Sequence, residues 1–314
     1  MKPVIIVLII ICGFILLFSL FLFYIYYKIF LMTKRQKLKG FAYDIPFGSD
    51  EQKEIVRTNA KKLEEVVHQD VYIKSYDGIT LHGYYYHIND NSPLEIDFHG
   101  YKGQAFRDFS GGALMALDSG YNLLLVEERA HGYSGGHTIS FGIKERNDVK
   151  SWVSYANNLI KDNQKIILAG ISMGAATVLM ASSLDLDNVV GIVADCPYSA
   201  PKDIILNTVK NMNLNPKLLY PFIYLSALIF GHFRLNQITA LDAVKESKYP
   251  ILLIHGEDDS FVPFEMGKEI AIGNKSVEFY SFPFADHGLS YLVDTDRYKK
   301  IVNNFIDKIL YKED

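Results

Sequence analysis

From residue 94 onward, the chain alternates short apolar runs of strand length with longer segments of helical periodicity. The apolar runs are residues 94–98, 122–126, 165–169, 189–194, 251–254 and 277–282. Apolar residues recur every three or four positions in residues 105–119, 144–160, 173–184, 264–272 and 295–311. Strands that alternate with helices predict a parallel sheet that is covered by helices on both faces.

Two further elements precede this alternation. Residues 49–67 are rich in charge and carry an apolar stripe at helical spacing, which predicts a helix at the edge of the domain. Residues 71–75 and 80–87 flank the pair Asp77-Gly78, which is typical of a tight turn between antiparallel strands. The hairpin and the later strands together predict an α/β fold around a mostly parallel sheet of about eight strands.

The amino-terminal segment has a different pattern, because residues 4–27 contain no charged side chain. As a helix they would extend ~36 Å, enough to cross a hydrocarbon core of about 30 Å with some tilt. A cleaved signal peptide is the alternative, but its apolar region normally spans about 7–15 residues. This segment ends in Tyr24, Tyr26, Tyr27 and Lys28, which is typical of a membrane interface. We therefore expect an uncleaved transmembrane helix.

Basic residues are concentrated after the apolar segment. They are Lys28, Lys34, Arg35, Lys37 and Lys39, whereas only Lys2 and the terminal amine precede it. The positive-inside rule therefore favours a cytoplasmic location for the rest of the chain. We divide the chain into an anchor with a basic flank, residues 1–39, and one globular domain, residues 40–314.

A long insertion, residues 198–247, separates two of the strand candidates. Within it, residues 218–230 are apolar and aromatic, but this stretch contains Pro221 and is too short to span a bilayer. We expect the insertion to form a helical cap whose apolar underside covers a pocket.

Composition narrows the function classes. The formal net charge of −4 gives no indication of a nucleic-acid partner. The two cysteines are Cys12, inside the apolar segment, and Cys196. Because the globular domain has a single thiol, an internal disulfide and a multi-cysteine zinc site are excluded.

The segment Gly170-Ile171-Ser172-Met173-Gly174 lies between a strand candidate and a helix candidate. Its glycines allow a tight, strained turn that would project the Ser172 hydroxyl above the edge of the sheet. The same turn would place the Met173 N–H at a helix N-terminus, where it can stabilise an oxyanion. The segment predicts a serine nucleophile, and a tight turn without chemistry is the alternative.

A serine hydroxyl becomes a good nucleophile when a base removes its proton and an acid orients that base. His287 follows the last strand candidate and is the predicted base. The acid is expected after the preceding strand, where Glu257, Asp258 and Asp259 are consecutive. Asp259 is preferred and Asp258 is the alternative, while a metal site at this acidic pair is a weaker possibility.

A second oxyanion donor is expected after the strand candidate at residues 94–98. His99-Gly100-Tyr101 follows directly, and its glycine allows the backbone to turn inward. The Tyr101 N–H is the predicted donor, and a simple glycine turn is the alternative. His99 is expected to orient this loop rather than to transfer a proton.

These segments, together with Glu127-Glu-Arg-Ala-His-Gly-Tyr-Ser134, occur in the order found in the α/β-hydrolase superfamily. Over residues 70–310 the chain resembles the serine aminopeptidase-like and monoacylglycerol lipase-like esterases of that superfamily. The resemblance implies a Ser172–His287–Asp259 triad and an oxyanion hole formed by Tyr101 and Met173.

The resemblance also implies that residues 129–132 brace the active site from the loop after the fourth strand. The chain departs from its relatives at Glu127, where they typically carry Asp, which puts a detail of this bracing in doubt.

The predicted function is hydrolysis of carboxylic esters through an acyl-enzyme on Ser172, without a metal or organic cofactor. The apolar segment and the cap favour a small-molecule ester or a lipid-like substrate, with membrane contact through residues 4–27. A peptidase or amidase with the same triad is the main alternative, and a catalytically silent binding protein is a third. The sequence leaves the acyl-chain length and the oligomeric state open.

Overall fold

The structure is a computed structural model that describes residues 2–33, 36, 43–159 and 164–311. Most of the basic flank on which the predicted orientation depends, Lys34, Arg35, Lys37 and Lys39, lies outside the described residues.

Eight strands form one sheet in the spatial order β1-β2-β4-β3-β5-β6-β7-β8. They are β1 (Gln69–Lys74), β2 (Thr80–Tyr86), β3 (Leu94–Phe98), β4 (Asn122–Glu127), β5 (Ile166–Ile171), β6 (Val189–Asp195), β7 (Ile251–Gly256) and β8 (Val277–Phe282). β2 pairs antiparallel with β1 and β4, and every other pair is parallel. The predicted mostly parallel, eight-stranded sheet is confirmed.

Helices cover both faces of the sheet. They are α1 (Lys2–Ile29), α2 (Asp50–Glu65), α3 (Ala105–Asp108), α4 (Gly112–Asp118), α5 (Glu145–Leu159), α6 (Met173–Ala181), α7 (Pro201–Asn211), α8 (Pro216–Ser226), α9 (Ala240–Lys245), α10 (Phe264–Gly273), α11 (Ser290–Val293) and α12 (Thr295–Leu310). A π-helical turn, Ala227–Gly231, continues α8. The insertion at residues 198–247 therefore consists of α7, α8, this turn and α9.

The single helix predicted at residues 105–119 is instead two short helices, α3 and α4. The break falls at Ser110-Gly111, before Gly112 begins α4. A Cβ at Gly111 would lie 2.4 Å from the ring of Tyr291, so the chain passes too close to that ring for any larger residue. Glycine is also a poor helix former, which weakens the helix at this point.

The strand side chains divide the interior into two apolar cores. Alternation along β3 turns Ile96 and Phe98 toward a core that also contains residues of α5, α6, α9 and α10. The opposite face of the sheet packs against α2, α3, α4 and α12. Glu95 and Asp97 lie on that second face, so two carboxyl groups are buried under an otherwise apolar sheet.

The carboxyl end of α1 packs into the first core. Leu22, Tyr26 and Phe30 are buried, whereas the apolar side chains in the first part of α1 are exposed. The Phe30 carbonyl accepts a hydrogen bond from the Ile139 N–H, at 2.8 Å. By length and composition, one helix within the described residues, Pro3–Ile29, could cross a membrane; an 18-residue stretch within it has a mean hydropathy of 3.3.

Candidate active site

The turn between β5 and α6 holds Ser172 in a strained backbone conformation, with φ 55° and ψ −112°. The turn is tight because the flanking glycines leave no room for side chains. A Cβ at Gly174 would lie 1.7 Å from the Phe98 carbonyl oxygen, and one at Gly170 would lie 2.5 Å from the Gly174 backbone. Strain at a non-glycine residue of this kind costs about 1–3 kcal/mol and is typical of functional positions.

Ser172, His287 and Asp259 meet at the carboxyl edge of the sheet. The His287 Nε2 lies 2.8 Å from the Ser172 Oγ, although 115 residues separate the two in the chain. The other ring nitrogen, Nδ1, lies 2.7 Å from Oδ2 of Asp259. The sequence-predicted serine, histidine and first-choice carboxylate therefore form one chain of hydrogen bonds.

The Asp259 carboxylate is fixed on both of its oxygens. Its Oδ1 accepts hydrogen bonds from the N–H groups of Phe261 and Val262, at 2.9 and 2.7 Å. Burial disfavours its ionised form, but hydrogen bonds from His255 and His287 outweigh burial and lower the pKa of Asp259 to about 2. The alternative acid, Asp258, is exposed at the surface.

The loop that carries His287 is locked by its neighbour Asp286. The Asp286 Oδ1 accepts hydrogen bonds from the N–H and the hydroxyl of Ser260 and from the His287 N–H. The rings of Phe47 and Phe261 pack edge-on against the imidazole, with centroids 5.3 and 5.2 Å away. Phe47 precedes the first strand and carries no motif, so sequence reasoning missed it.

The two predicted oxyanion donors belong to the N-terminus of α6 and to the loop after β3, whose Gly100 lies beside Ser172. Met173 is the first residue of α6, so its N–H is one of those that have no acceptor within the helix. Tyr101 borders the cavity at Ser172. The preceding Gly100 donates its N–H to Oδ2 of Asp108, at 2.9 Å, which holds this loop against the last residue of α3.

Two histidines brace the Tyr101 loop through their backbone contacts. His99 donates from Nδ1 to the Gly100 carbonyl, at 2.9 Å, and its Nε2 accepts from the Glu128 N–H, at 3.0 Å. His131 contacts the Arg129 carbonyl through Nδ1, at 2.9 Å, and its Nε2 accepts from the Lys102 N–H, at 3.1 Å. The contacts of His99 match its expected orienting position.

Arg129 and Glu127 hold the loop after β4. Arg129 makes two hydrogen bonds to Asp148, at 2.6 and 2.7 Å, and one to Asp77 in the hairpin turn, at 2.9 Å. The Glu127 carboxylate lies 2.8 Å from the ring of His82 on β2, and it accepts from the Tyr133 N–H. The unusual glutamate thus links the loop to the antiparallel edge of the sheet.

A cavity of about 380 Å³ opens beside Ser172 and His287. It extends between the sheet and helices α3, α4, α11 and α12. Its walls are mostly apolar and include Phe47, Phe109, Met115, Val193, Leu292 and Val302. The expectation that the insertion covers the pocket is wrong, because none of the cavity's described lining residues comes from residues 198–247.

Buried carboxyl groups occur in the cavity wall, although no motif in the sequence predicts them. The Tyr298 hydroxyl donates to Oδ2 of Asp195, at 3.1 Å, and burial raises the pKa of Asp195 to about 6. Burial also raises the pKa of Glu95 to about 7, next to Asp97. Two acidic residues inside the short apolar run of β3 were the available signal in the sequence.

One group of side chains within the described ranges has metal-ligand spacing, formed by Cys196, Asp259 and His287. Both nitrogens of His287 are already in hydrogen bonds, to Ser172 and to Asp259. Burial raises the pKa of the Cys196 thiol well above its usual range, and a protonated thiol is a poor ligand. The group is better suited to proton transfer than to binding a metal.

Comparison with known proteins identifies relatives over most of the chain. The sequence profile of the X-Pro dipeptidyl-peptidase (S15) family matches residues 44–212. The uncharacterized protein YqkD of Bacillus subtilis is 27% identical over 240 residues, which cover 76% of this chain and 78% of YqkD.

Solved structures of esterases share the fold. The Pyrococcus furiosus esterase Pf2001 superimposes with a TM-score of 0.66 at 27% identity, covering 79% of this chain and 93% of the esterase. Est1E from Butyrivibrio proteoclasticus, solved with ferulic acid, gives a TM-score of 0.60 at 21% identity, covering 77% of this chain and all of Est1E. These neighbours confirm the resemblance to the α/β-hydrolase superfamily.

Proposed function

The chain belongs to the X-Pro dipeptidyl-peptidase (S15) family, within the α/β hydrolases, and from this premise we propose that it is a membrane-anchored serine esterase. Hydrolase activity follows from the family and from the esterase neighbours. The proposal adds the nucleophile, the ester bond and the membrane. Its domains would be the anchor with its flank, residues 1–39, and the hydrolase domain, residues 40–314.

The observation that carries the proposal is the continuous contact from Ser172 through His287 to Asp259, at 2.8 and 2.7 Å. His287 would remove the serine proton as Ser172 attacks the ester carbonyl, and would then protonate the leaving alcohol. The N–H groups of Tyr101 and Met173 would stabilise the oxyanion. Water would release the acid by the same steps in reverse order.

The cavity supports an ester with an apolar acyl group. Its walls are mostly apolar, and the Asp108 carboxylate among them is already paired with Arg107 at 2.6 Å. A volume of about 380 Å³ lies within the usual range for small-molecule sites. A short to medium acyl chain would fit beside Ser172.

A peptidase is the second candidate, and the S15 match favours it. The two candidates differ in the leaving group, which is an alcohol in one case and an amine in the other. The purified full-length chain should be assayed with p-nitrophenyl esters of graded acyl length and with aminoacyl and X-Pro p-nitroanilides. We expect ester turnover to dominate; preferential turnover of the X-Pro anilide would overturn the ester assignment.

Labelling separates an active hydrolase from a silent binding protein of the same fold. A fluorophosphonate should modify the wild type and fail to modify Ser172→Ala. The substitution removes only the Ser172 hydroxyl and keeps its Cβ, so the alanine variant should remain folded, which a melting curve can verify. Labelling of neither protein would favour the silent binding protein.

Membrane anchoring is supported by the length of α1 and by the exposure of its apolar side chains. Cleavage of α1 as a signal sequence would also remove Ile25 and Tyr26, which are buried in the domain core. We expect the full-length chain to stay with membranes after alkaline carbonate extraction; its release would contradict anchoring. Protease accessibility in intact cells would test the cytoplasmic orientation.

A further inference from the structure

The insertion carries exposed apolar side chains on α8, on the π-helical turn after it and on the loop before it. We call them the cap apolar patch: Met212, Leu214, Leu218, Leu228 and Ile229. Leu218 and Met212 are 65% and 64% exposed, and Ile229 is 48% exposed. Large apolar side chains exposed together on a surface mark a contact with a membrane or with another protein.

The patch is fixed to α1 by aromatic contacts. The ring of Phe222 on α8 packs edge-on against Phe18 and Phe21, with centroids 6.2 and 5.4 Å away. Phe230, in the π-helical turn, contacts Phe23 and Tyr26 at 5.4 and 5.8 Å. α8 and the carboxyl end of α1 therefore lie side by side as one unit.

The spacing along α8 places part of the patch beside this contact. Leu218 and Phe222 are four residues apart in α8, so they lie on about the same side of that helix. Ile229 lies in the π-helical turn, directly before Phe230, which contacts α1. Phe222 already touches α1, so Leu218 and Ile229 flank α1 with their side chains exposed.

The depth of this contact along α1 can be worked from the sequence. Phe18 and Phe21 precede Lys28 by ten and seven residues, a distance of roughly 10–15 Å along the helix axis. Lys28 marks the end of the uncharged segment and belongs in the headgroup layer, which is about 5–8 Å thick. A helix packed against Phe18 and Phe21 therefore reaches the boundary of the acyl chains.

The charge around the patch fits an anionic lipid surface. Residues 201–231 contain Lys202, Lys210 and Lys217, against the single carboxylate of Asp203. Lys217 is directly next to Leu218 and is exposed. Lysine side chains at this depth can extend to lipid phosphates while their stems stay in apolar surroundings.

We infer that the cap apolar patch is a second lipid-contact surface, which enters the interface of the bilayer that α1 crosses. This inference rests on the anchoring part of the proposed function. The Tyr101 hydroxyl donates to the Ile29 carbonyl at 2.7 Å, which ties the catalytic domain to the end of α1. A cap that is held in the membrane interface therefore also fixes the height of the catalytic domain above the membrane. The cap would thus orient the domain on the bilayer instead of covering the cavity.

Tryptophan reporters in the full-length chain test the inference. The single native tryptophan, Trp152, is buried and provides a constant background. Leu218→Trp reports on the patch, Phe14→Trp on the middle of α1, and Ile272→Trp on an exposed site of α10. Each variant is reconstituted into vesicles of phosphatidylcholine and phosphatidylglycerol, with or without brominated acyl chains, which quench tryptophan on contact.

We expect brominated lipid to quench Leu218→Trp and Phe14→Trp and to leave Ile272→Trp at the wild-type background. Quenching of Phe14→Trp without quenching of Leu218→Trp would overturn the inference and leave the anchor intact. An unquenched Phe14→Trp would contradict the anchor itself. A patch covered by a second copy of the chain would also leave Leu218→Trp unquenched, and so would overturn the inference. Leu214→Trp repeats the measurement at a second position of the patch.

Discussion

Replacing Asp259 by asparagine should separate the two candidate acids, because the surroundings of Asp259 dictate how the amide must lie. The N–H groups of Phe261 and Val262 point at Oδ1 and require an acceptor there. The carbonyl oxygen of an asparagine must occupy that position, so its NH₂ group must occupy the position of Oδ2. That NH₂ group would then face His287 Nδ1, 2.7 Å away in the wild type.

A donor at this position requires His287 Nδ1 to accept, which moves the ring proton to Nε2. With a proton on Nε2, the imidazole cannot remove the proton of Ser172. We therefore expect Asp259→Asn to lower kcat for a p-nitrophenyl ester about 10³–10⁴-fold, or roughly 4–5.5 kcal/mol, with little change in KM. Asp258→Asn is the matched control and should alter kcat less than about twofold, because Asp258 is exposed.

Both variants should keep the wild-type melting temperature within a few degrees. A loss of less than about tenfold in Asp259→Asn, or a larger loss in Asp258→Asn, would refute the assignment of Asp259.

Three further predictions concern stability, measured as the free energy of unfolding in detergent. Burial raises the pKa of Glu95 to about 7 in the folded chain, so this carboxyl ionises at lower pH in the unfolded chain than in the folded one. Glu95→Gln should therefore be more stable than the wild type from about pH 4 upward, and the difference should level off above about pH 7 at roughly 1–3 kcal/mol. A difference that does not vary with pH would contradict this. Gly174→Ala should cost more than about 4 kcal/mol or prevent folding, since its Cβ would lie 1.7 Å from the Phe98 carbonyl oxygen. Gly273→Ala is the control and should be nearly neutral, because the nearest atom to its Cβ would be 3.5 Å away. Phe30→Ala should cost about 3–5 kcal/mol because the Phe30 side chain is fully buried, whereas Phe14→Ala should cost little because the Phe14 side chain is exposed. Equal costs would contradict the packing of the carboxyl end of α1 against the domain.

The sheet and most helices could be predicted because their patterns are local. The apolar runs at residues 94–98 and 277–282 coincide with β3 and β8, and the Asp77-Gly78 pair lies in the turn of the β1–β2 hairpin. The continuous apolar runs at residues 123–126 of β4 and 251–254 of β7 are buried throughout, and such a run between two helical layers leaves few alternative structures. The split of α3 from α4 escaped this reasoning because it depends on a ring, Tyr291, that is distant in the chain.

The candidate triad could also be predicted, because each member follows a strand in a fixed order. The choice between Asp258 and Asp259 stayed open in the sequence, since adjacent carboxylates differ only in where their side chains point. In the structure Asp259 faces His287 and Asp258 faces solvent. Its role in catalysis stays a prediction until the asparagine variants are measured.

The position of the cavity and the partner of the insertion could not be predicted. The apolar character of residues 218–230 indicates a covered surface, but it does not say by what. The structure packs Phe222 and Phe230 against α1, and the cavity forms on the other side of the sheet from residues as distant as Phe47 and Tyr298. Contacts between elements far apart in the chain leave no local pattern.

Trapping the covalent intermediate would show whether Ser172 is the nucleophile. A p-nitrophenyl ester is mixed with excess full-length enzyme, and the reaction is quenched in acid within the first turnover. The protein is then digested, and the masses of its peptides are measured by mass spectrometry. We expect an added acyl mass on the peptide that contains Ser172, and no added mass on that peptide in Ser172→Ala. Ester turnover with the acyl group on another residue, or unchanged turnover by Ser172→Ala, would contradict this expectation.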